Sequence, residues 1–401
     1  MDSLTQLALG AAVGEAVAGK KLGNKAMLWG AVAGTIPDLD VFTGFWMNDI
    51  ESMAFHRGIT HSILFAVVFP LICSALARYY YASLRNEGGW SERLWQIVWI
   101  IFGGLMIGGS SYLFFTQLNT LTFILFVGVS ALGGYWIWRS FIHPHDDFEP
   151  ISFRHWYIFF FLCFATHILI DAFTTYGTQI LQPFSNMRFT TSTISVADPA
   201  YTIPLLLFLI LASLYKRKNK TRSILNWIGL GLSSLYMIFT FVNKQHVDQK
   251  FHDRLEAMNI QSDHVLTNPT ILNNILWHGI AEIDTAYVEG YYSLFDKKAP
   301  FEDMRFIPKN RGLIKATNCE DSENLKTLKW FSDDFYNFSI ESDTFYYNDL
   351  RFGAIWMDEM GEEDKKVFYF RIDDDCSAHE IRDTDGIGEA WGIFVKRLKG
   401  E

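Results

Sequence analysis

Cysteine is scarce in this chain and basic charge is in deficit. Four cysteines among 401 residues form no CxxC pair and no zinc-ribbon spacing, which argues against a thiolate metal cluster. Cys73 and Cys163 lie inside apolar runs and read as small buried hydrophobes. Cys319 and Cys376 lie in polar sequence and can pair only if that part faces an oxidising compartment. The net charge is −10, and the acidic excess lies after Val242, which argues against nucleic acid as a partner. No basic residue precedes the first apolar stretch in Met1-Asp2-Ser3-Leu4. The charged opening of a cleavable signal peptide is therefore missing, and this segment is expected to stay in the mature protein. No internal repeat is visible.

What the chain does have is apolar length. A bilayer core takes about 20 mostly apolar residues per helix. Residues 59–80, 94–115, 118–141, 156–175 and 224–242 meet that length, and 200–215 is shorter but almost wholly apolar. Residues 4–18 and 26–36 are short and rich in Gly and Ala, which suits a tight helix pair or partial entry into the membrane. The expectation is an all-α polytopic membrane domain over residues 1–242, with about eight membrane segments, the first two short. A soluble, acidic α+β or mostly β domain is expected over 243–401. Its connector reads as helical to about Asn274. Alternating runs at Thr344-Phe345-Tyr346-Tyr347 and Lys366-Val367-Phe368-Tyr369-Phe370-Arg371-Ile372 then read as strands.

Loop charge suggests an orientation. Lys20, Lys21, Lys25, Arg78, Arg85, Arg93, Arg139, Arg154 and the run Lys216–Arg222 fall on one side of an eight-segment count. That side is expected to be cytoplasmic. The opposite loops hold only Arg57 and Arg188 as basic residues, so the domain after Val242 is expected outside the cytoplasm.

Three short motifs carry the chemistry. Gly34-Thr35-Ile36-Pro37-Asp38-Leu39-Asp40 sets two carboxylates two apart, just after a helix that Pro37 helps to end. His56-Arg57-Gly58-Ile59-Thr60-His61-Ser62 stands at the entrance to the third segment. His167-Ile168-Leu169-Ile170-Asp171 lies inside an apolar helix, where residues four apart share one face. Ionisable groups inside a spanning helix are costly and usually functional. Charge counting did not use these residues, yet it sets all three motifs at one membrane face. Mixed His/Asp ligation suits zinc or a similar divalent ion.

Other polar groups read as structure. His143-Pro144-His145-Asp146-Asp147 and Asp373-Asp374-Asp375 are expected to be solvated turns, and Asp198-Pro199 a helix start. Ser62 beside His61 lacks the strand–turn–helix setting of a nucleophile elbow.

These motifs resemble those of the YdjM-like inner-membrane proteins, described as metal-dependent hydrolases. The resembling residues are the opening Met1-Asp2-Ser3-Leu4-Thr5-Gln6, PDLD at 37–40, HRGITHS at 56–62 and HILIDAFTTYGTQILQPFS at 167–185. Arg188-Phe189 and Val196-Ala197-Asp198-Pro199 continue the likeness, which covers roughly the first 215 residues. Many relatives carry a His where this chain has Gln6. A more distant similarity is to zinc-dependent phospholipases C and related nucleases. It implies Asp40 as an Asp ligand, His56 or His61 as a His ligand, and His167 with Asp171 as the HxxxD pair.

The expected function is metal-dependent hydrolysis, of phosphoester type, at the outer face of a bacterial-type inner membrane, with a lipid or lipid-linked phosphoester as substrate. The expected ligands of a divalent metal, zinc foremost, are Asp40, His56, His61, His167 and Asp171. Asp38 is a further ligand or the carboxylate that accepts the water's proton. Arg57 is expected to stabilise negative charge in the transition state. Two rivals are a non-catalytic protein braced by a His/Asp metal site, and a proton or metal transporter using the His167–Asp171 pair. The second wants polar residues toward the cytoplasmic side, where the sixth segment offers Phe159, Phe160, Phe161 and Leu162.

Overall fold

The structure is a computed structural model that describes residues 1–83, 150–355, 365–381 and 387–401. The segments expected at 94–115 and 118–141, and the His143–Asp147 turn, lie outside the described residues.

The chain opens with two helices, α1 (Ser3–Leu22) and α2 (Asn24–Thr35). Asp2 caps α1 by accepting from the amides of Leu4 and Thr5, which satisfies donors the first turn leaves unpaired. Gly23, at φ 62, makes the sharp turn into α2. The two helices touch backbone to backbone. A Cβ on Gly30 would stand 2.1 Å from the Gly10 carbonyl oxygen, and one on Gly10 would stand 2.3 Å from that of Gly30. Small residues are what permit this approach, so the short segments form the tight pair.

A 3-10 segment, Pro37–Phe45, leads to α3 (Asp49–Phe55), and a 3-10 turn, Ile59–His61, leads to α4 (Ile63–Ser83). Next come α5 (Phe153–Asp171), α6 (Pro199–Ser213) and α7 (Lys220–Ala257). Asp198 caps α6 through the amide of Ala200, the helix start its sequence suggests.

Among the described residues three helices are long and apolar enough to cross a membrane: α4, α5 and α7. The expected count of eight is thus not reached; six of those segments fall on described residues and three qualify. The reasons are length and charge. Helix α2, with 12 residues, spans about 18 Å, and α6, with 15, about 22 Å, against a hydrocarbon core of about 30 Å. Helix α1 carries Glu15, Lys20 and Lys21.

The bundle has two unlike ends. At one, Arg222 of α7 makes a two-pronged ion pair with Glu15 of α1, at 2.6 and 2.5 Å, and Arg217 donates to the Lys21 carbonyl. The start of α1, the end of α2, the start of α4 and the end of α5 meet at the other. Between the ends the core is aromatic, with Trp156, Phe159, Phe160 and Phe164 of α5 buried against α1, α2 and α4.

Helix α7 runs on past Val242. Its last turns bury Val247, Phe251 and Leu255 against the first sheet. That sheet is an antiparallel meander of β1 (Val265–Pro269), β2 (Leu276–Glu282), β3 (Ala286–Ser293) and β4 (Met304–Pro308). The expected helical connector to Asn274 is therefore corrected: helix stops at Ala257, and strand begins at Val265. Asn259, at φ 56, takes the left-handed conformation that ends helices, and Val265-Leu266-Thr267 favours strand.

After α8 (Glu323–Phe331) comes a second antiparallel sheet. Its strands are β5 (Tyr336–Glu341), β6 (Thr344–Asp349), β9 (Tyr369–Ile372) and β10 (Ala378–Ile381), in spatial order β10-β9-β6-β5. A two-stranded ribbon, β7 (Ala354–Ile355) with β8 (Lys365–Lys366), precedes β9, so the strand expected over 366–372 is split by a bend at Val367-Phe368. Helix α9 (Ile387–Leu398) closes the chain. Cys319 and Cys376 form a disulfide, while Cys163 is free and buried. The core around that disulfide includes Ile50 and Met53 of α3. The sheet domain thus packs on the element that joins the PDLD and HRGITHS motifs.

Candidate metal centre

The three motifs converge at the bundle end that faces the sheet domain. Helix α5 brings His167 and Asp171 on one face. The turn Ile59–His61 brings His61, and the 3-10 segment after α2 brings Asp38. One ligand atom from each of Asp38, His61, His167 and Asp171 lies within 4.8 Å of the other three. The Nε2 atoms of His61 and His167 are 3.0 Å apart. His61 Nε2 stands 3.3 Å from Asp38 Oδ1 and 3.3 Å from Asp171 Oδ2. His167 Nε2 stands 3.5 and 3.4 Å from the same two oxygens. Ligands about 2.0 Å from a tetrahedral zinc lie about 3.3 Å from each other. Five of the six edges of the group, from 3.0 to 3.5 Å, are close to that length.

Each imidazole is aimed by its other nitrogen. His167 Nδ1 donates to the Gly34 carbonyl at 2.6 Å. That carbonyl is held in place by the close α1–α2 packing. His61 Nδ1 stands 3.3 Å from Asp40 Oδ2. With both Nδ1 protons directed outward, both Nε2 lone pairs point into the group. Asp171 Oδ2 is buried without a hydrogen-bond partner. Four electron-rich atoms facing one another in a buried space suit a cation.

The titration of the open group agrees. Burial pulls the His61 pKa down, but hydrogen bonds to Asp171, Asp38 and Asp40 outweigh it and lift the pKa to about 10. Burial raises the pKa of Asp38, yet hydrogen bonds from His167 and His61 carry it well below the usual carboxylate range. The space attracts positive charge, and a proton takes it when nothing larger does.

Sequence reasoning set Asp40 and His56 among the ligands, with Asp38 as ligand or base. The geometry instead brings Asp38 into the group and holds Asp40 and His56 one step out. Asp40 is a hub. Its Oδ1 pairs with His56 Nδ1 at 2.7 Å, and its Oδ2 accepts from the Arg57 amide at 3.1 Å and from the Thr60 hydroxyl at 2.7 Å. Burial works against its ionisation, and these hydrogen bonds, led by His56 and His61, hold its pKa far below normal. His56 keeps part of its ring in solvent and packs edge-on to Tyr176, centroids 5.6 Å apart.

Arg57, at φ 61, adopts a left-handed conformation that costs a non-glycine residue of order 1 kcal/mol. This turns its side chain inward. The guanidinium donates to Thr174 Oγ1 at 2.7 Å, stands 3.4 Å from Asp171 Oδ1 and lies over the Tyr176 ring at 4.7 Å. The sequence pointed to Arg57 and Arg188 and, through the resemblance, to Gln6, but it missed Tyr176. Gln6 donates to Asp171 Oδ1 at 2.9 Å. Tyr176 is packed between His56 and two arginines. Arg188 lies over Tyr176 at 4.9 Å and over Phe331 of α8 at 4.3 Å. Burial, with repulsion from Arg351 and Arg57, pulls the Arg188 pKa down to about 9. The family-like stretches around 1–6 and 176–188 were the signal that could have found these residues. A cleft of roughly 380 Å³ opens beside them, lined by Ala54, Gln179, Asn186, Lys326, Thr327 and Trp330.

A family model described as YdjM inner membrane protein matches residues 1–115 and 120–247. No curated protein matches the chain, and no solved structure does. Together with the three apolar helices, the family match supports an inner-membrane location. Since the matched residues, which carry the whole His/Asp group, make up more than half of the sequence, the chain belongs to the YdjM inner membrane protein family.

Proposed function

We propose that this protein is a membrane-bound, metal-dependent phosphoester hydrolase whose metal ligands are Asp38, His61, His167 and Asp171. The observation that carries the proposal is the close spacing of four ligand atoms, three of them on buried residues, whose two imidazoles are already aimed by outer contacts. Zinc fits this donor set best. A divalent cation held there supplies Lewis acidity toward a phosphoryl oxygen and acidifies the water it binds.

The chain's own residues divide the remaining work. Asp40 orients His61 and His56. Asp40 binds the Nδ1 side of His56, and the partly exposed ring lies 5.9 Å, centroid to centroid, from His61. His56 is the group we assign to take a proton from water and return it to the leaving oxygen. Arg57 balances the charge of Asp171 and holds it in place. Substrate approaches on the Asp38 side, since Asp38 keeps 20% of its side chain exposed while His61 and Asp171 are fully buried.

Orientation follows from charge and redox chemistry. The lysines and arginines of 20–25 and 216–222 lie at the bundle end far from the site, and positive charge favours the cytoplasm. The Cys319–Cys376 disulfide suits an oxidising compartment. Both support a site and sheet domain that face away from the cytoplasm.

A second reading has one observation behind it. Four protein ligands can close a tetrahedral site and leave it purely structural. The assay that separates the two measures hydrolysis of a chromogenic phosphodiester and of vesicle phospholipid by detergent-purified protein loaded with zinc or manganese. Hydrolysis that His56→Ala lowers by roughly a hundredfold or more, with metal content unchanged, supports the enzyme. Full metal loading with no hydrolysis of either substrate leaves the structural reading.

A further inference from the structure

The site end of the bundle displays apolar side chains that no part of the described chain covers. The 3-10 segment Pro37–Phe45, which carries Asp38 and Asp40, turns Phe42, Phe45 and the following Trp46 outward. Phe45 is 81% exposed and Trp46 69%. Phe42 and Phe45 stack on each other, centroids 6.0 Å apart. The loop 181–187 adds Leu181, Phe184 and Met187, with Phe184 85% exposed. Exposed apolar surface of this extent marks an interaction site.

Continuity says what covers it. The amide of Ile63, the first residue of α4, donates to the Ile180 carbonyl at 3.0 Å. The loop 181–187 therefore starts at the first turn of a candidate membrane span, whose outward row begins with the exposed Ile63 and Leu64. The exposed Leu181 of the loop thus follows directly on a residue bonded to the exposed start of the span. The composition is that of a membrane boundary, where Trp and large apolar side chains settle at headgroup level. The arginines closest in sequence, Arg57 and Arg188, are turned inward onto Tyr176, so anchoring rests on apolar burial and not on attraction to anionic lipid.

We propose that Pro37–Trp46 and the loop 181–187 form an interfacial collar that sinks into the headgroup–acyl boundary of the bilayer. The collar holds the Asp38 edge of the His/Asp group at the depth of the lipid phosphates. The substrate class that follows is the phosphoester of a membrane lipid, reached sideways from the bilayer. That last step rests on the hydrolase reading; the collar itself does not.

The test is depth. Nitroxide labels are placed on Phe45→Cys and Phe184→Cys in nanodiscs of phosphatidylethanolamine and phosphatidylglycerol. A label on Asp343→Cys, in an exposed turn of the sheet domain, is the water reference, and one on Leu64→Cys the lipid reference. The collar predicts that both collar labels collide with dissolved oxygen as the Leu64 label does, and with a water-soluble relaxation agent several-fold less than the Asp343 label. Labels as open to the water-soluble agent as Asp343 overturn it. So do labels shielded from both agents, which would mean that a protein partner covers the face. A Phe42→Ser/Phe45→Ser/Trp46→Ser variant with wild-type metal content then separates membrane seating from hydrolysis. It should lose about tenfold or more of the activity on vesicle phospholipid while keeping that on the soluble phosphodiester. If the wild type cleaves neither substrate, the hydrolase reading fails and the label depths alone decide the collar.

Discussion

The Nε2 atoms of His61 and His167 face one another 3.0 Å apart, while the Nδ1 atom of each is engaged outward, by Asp40 and by the Gly34 carbonyl. Two imidazoles so arranged, with Asp38 and Asp171 alongside, cannot all keep bare lone pairs in a buried space. One positive charge satisfies the four of them.

Asp40 is the first place to probe that arrangement. Asp40→Asn keeps the shape but weakens the hold on His61 Nδ1 and on His56. Loss of an outer partner of this kind costs roughly 10- to 100-fold in metal affinity. Competition with a calibrated chelator measures it. Unchanged affinity would return Asp40 to a role in the loop alone.

The four residues of the His/Asp group were all singled out in the sequence, and the contacts of their neighbours were not. His167 and Asp171 stand out because two ionisable residues four apart in an apolar helix are costly unless used. Asp38 and Asp40 were both visible, but they are two apart on a 3-10 segment. Which of them faces inward depends on where α3 and the turn Ile59–His61 settle, which is a tertiary matter. Tyr176 gave no local signal, and for Gln6 and Arg188 the sequence marked the position but not the contacts. Their meaning comes from a packing that joins the start of α1, the loop after α5 and the α8 face of the sheet domain. The count of membrane spans was overread for a related reason. Hydropathy alone cannot tell a short apolar helix packed against other helices, such as α6, from one that crosses the bilayer.

Acid should compete with metal. Without metal His61 holds a proton up to a pKa of about 10, whereas ligation needs the neutral ring. The sign follows: below about pH 10 each bound cation displaces that proton, so apparent affinity rises with pH by about tenfold per unit for one proton. Metal titration from pH 6 to 8 in weakly buffered detergent solution, with the released protons counted, reads both quantities. A flat affinity and no proton release would contradict the assignment of His61.

The close α1–α2 contact is expected to matter for the site as well as for stability. Gly30→Ala drives a Cβ into the Gly10 carbonyl, and overpacking of this kind costs about 1–3 kcal/mol. The helices must separate, and the Gly34 carbonyl that aims His167 moves with α2. Weaker metal binding together with a lower unfolding temperature is the expected result. Gly231→Ala, where an added Cβ meets nothing within 4 Å, should leave metal binding unchanged without lowering the unfolding temperature and serves as the control.

Elemental analysis of the detergent-purified protein decides whether the His/Asp group holds a metal. Wild type is compared with a His167→Ala/Asp171→Ala variant whose monodispersity and circular dichroism match it. About one divalent ion per wild-type chain is expected, and none retained by the variant. Wild-type protein that carries no metal, even after supplementation with zinc or manganese, would contradict it.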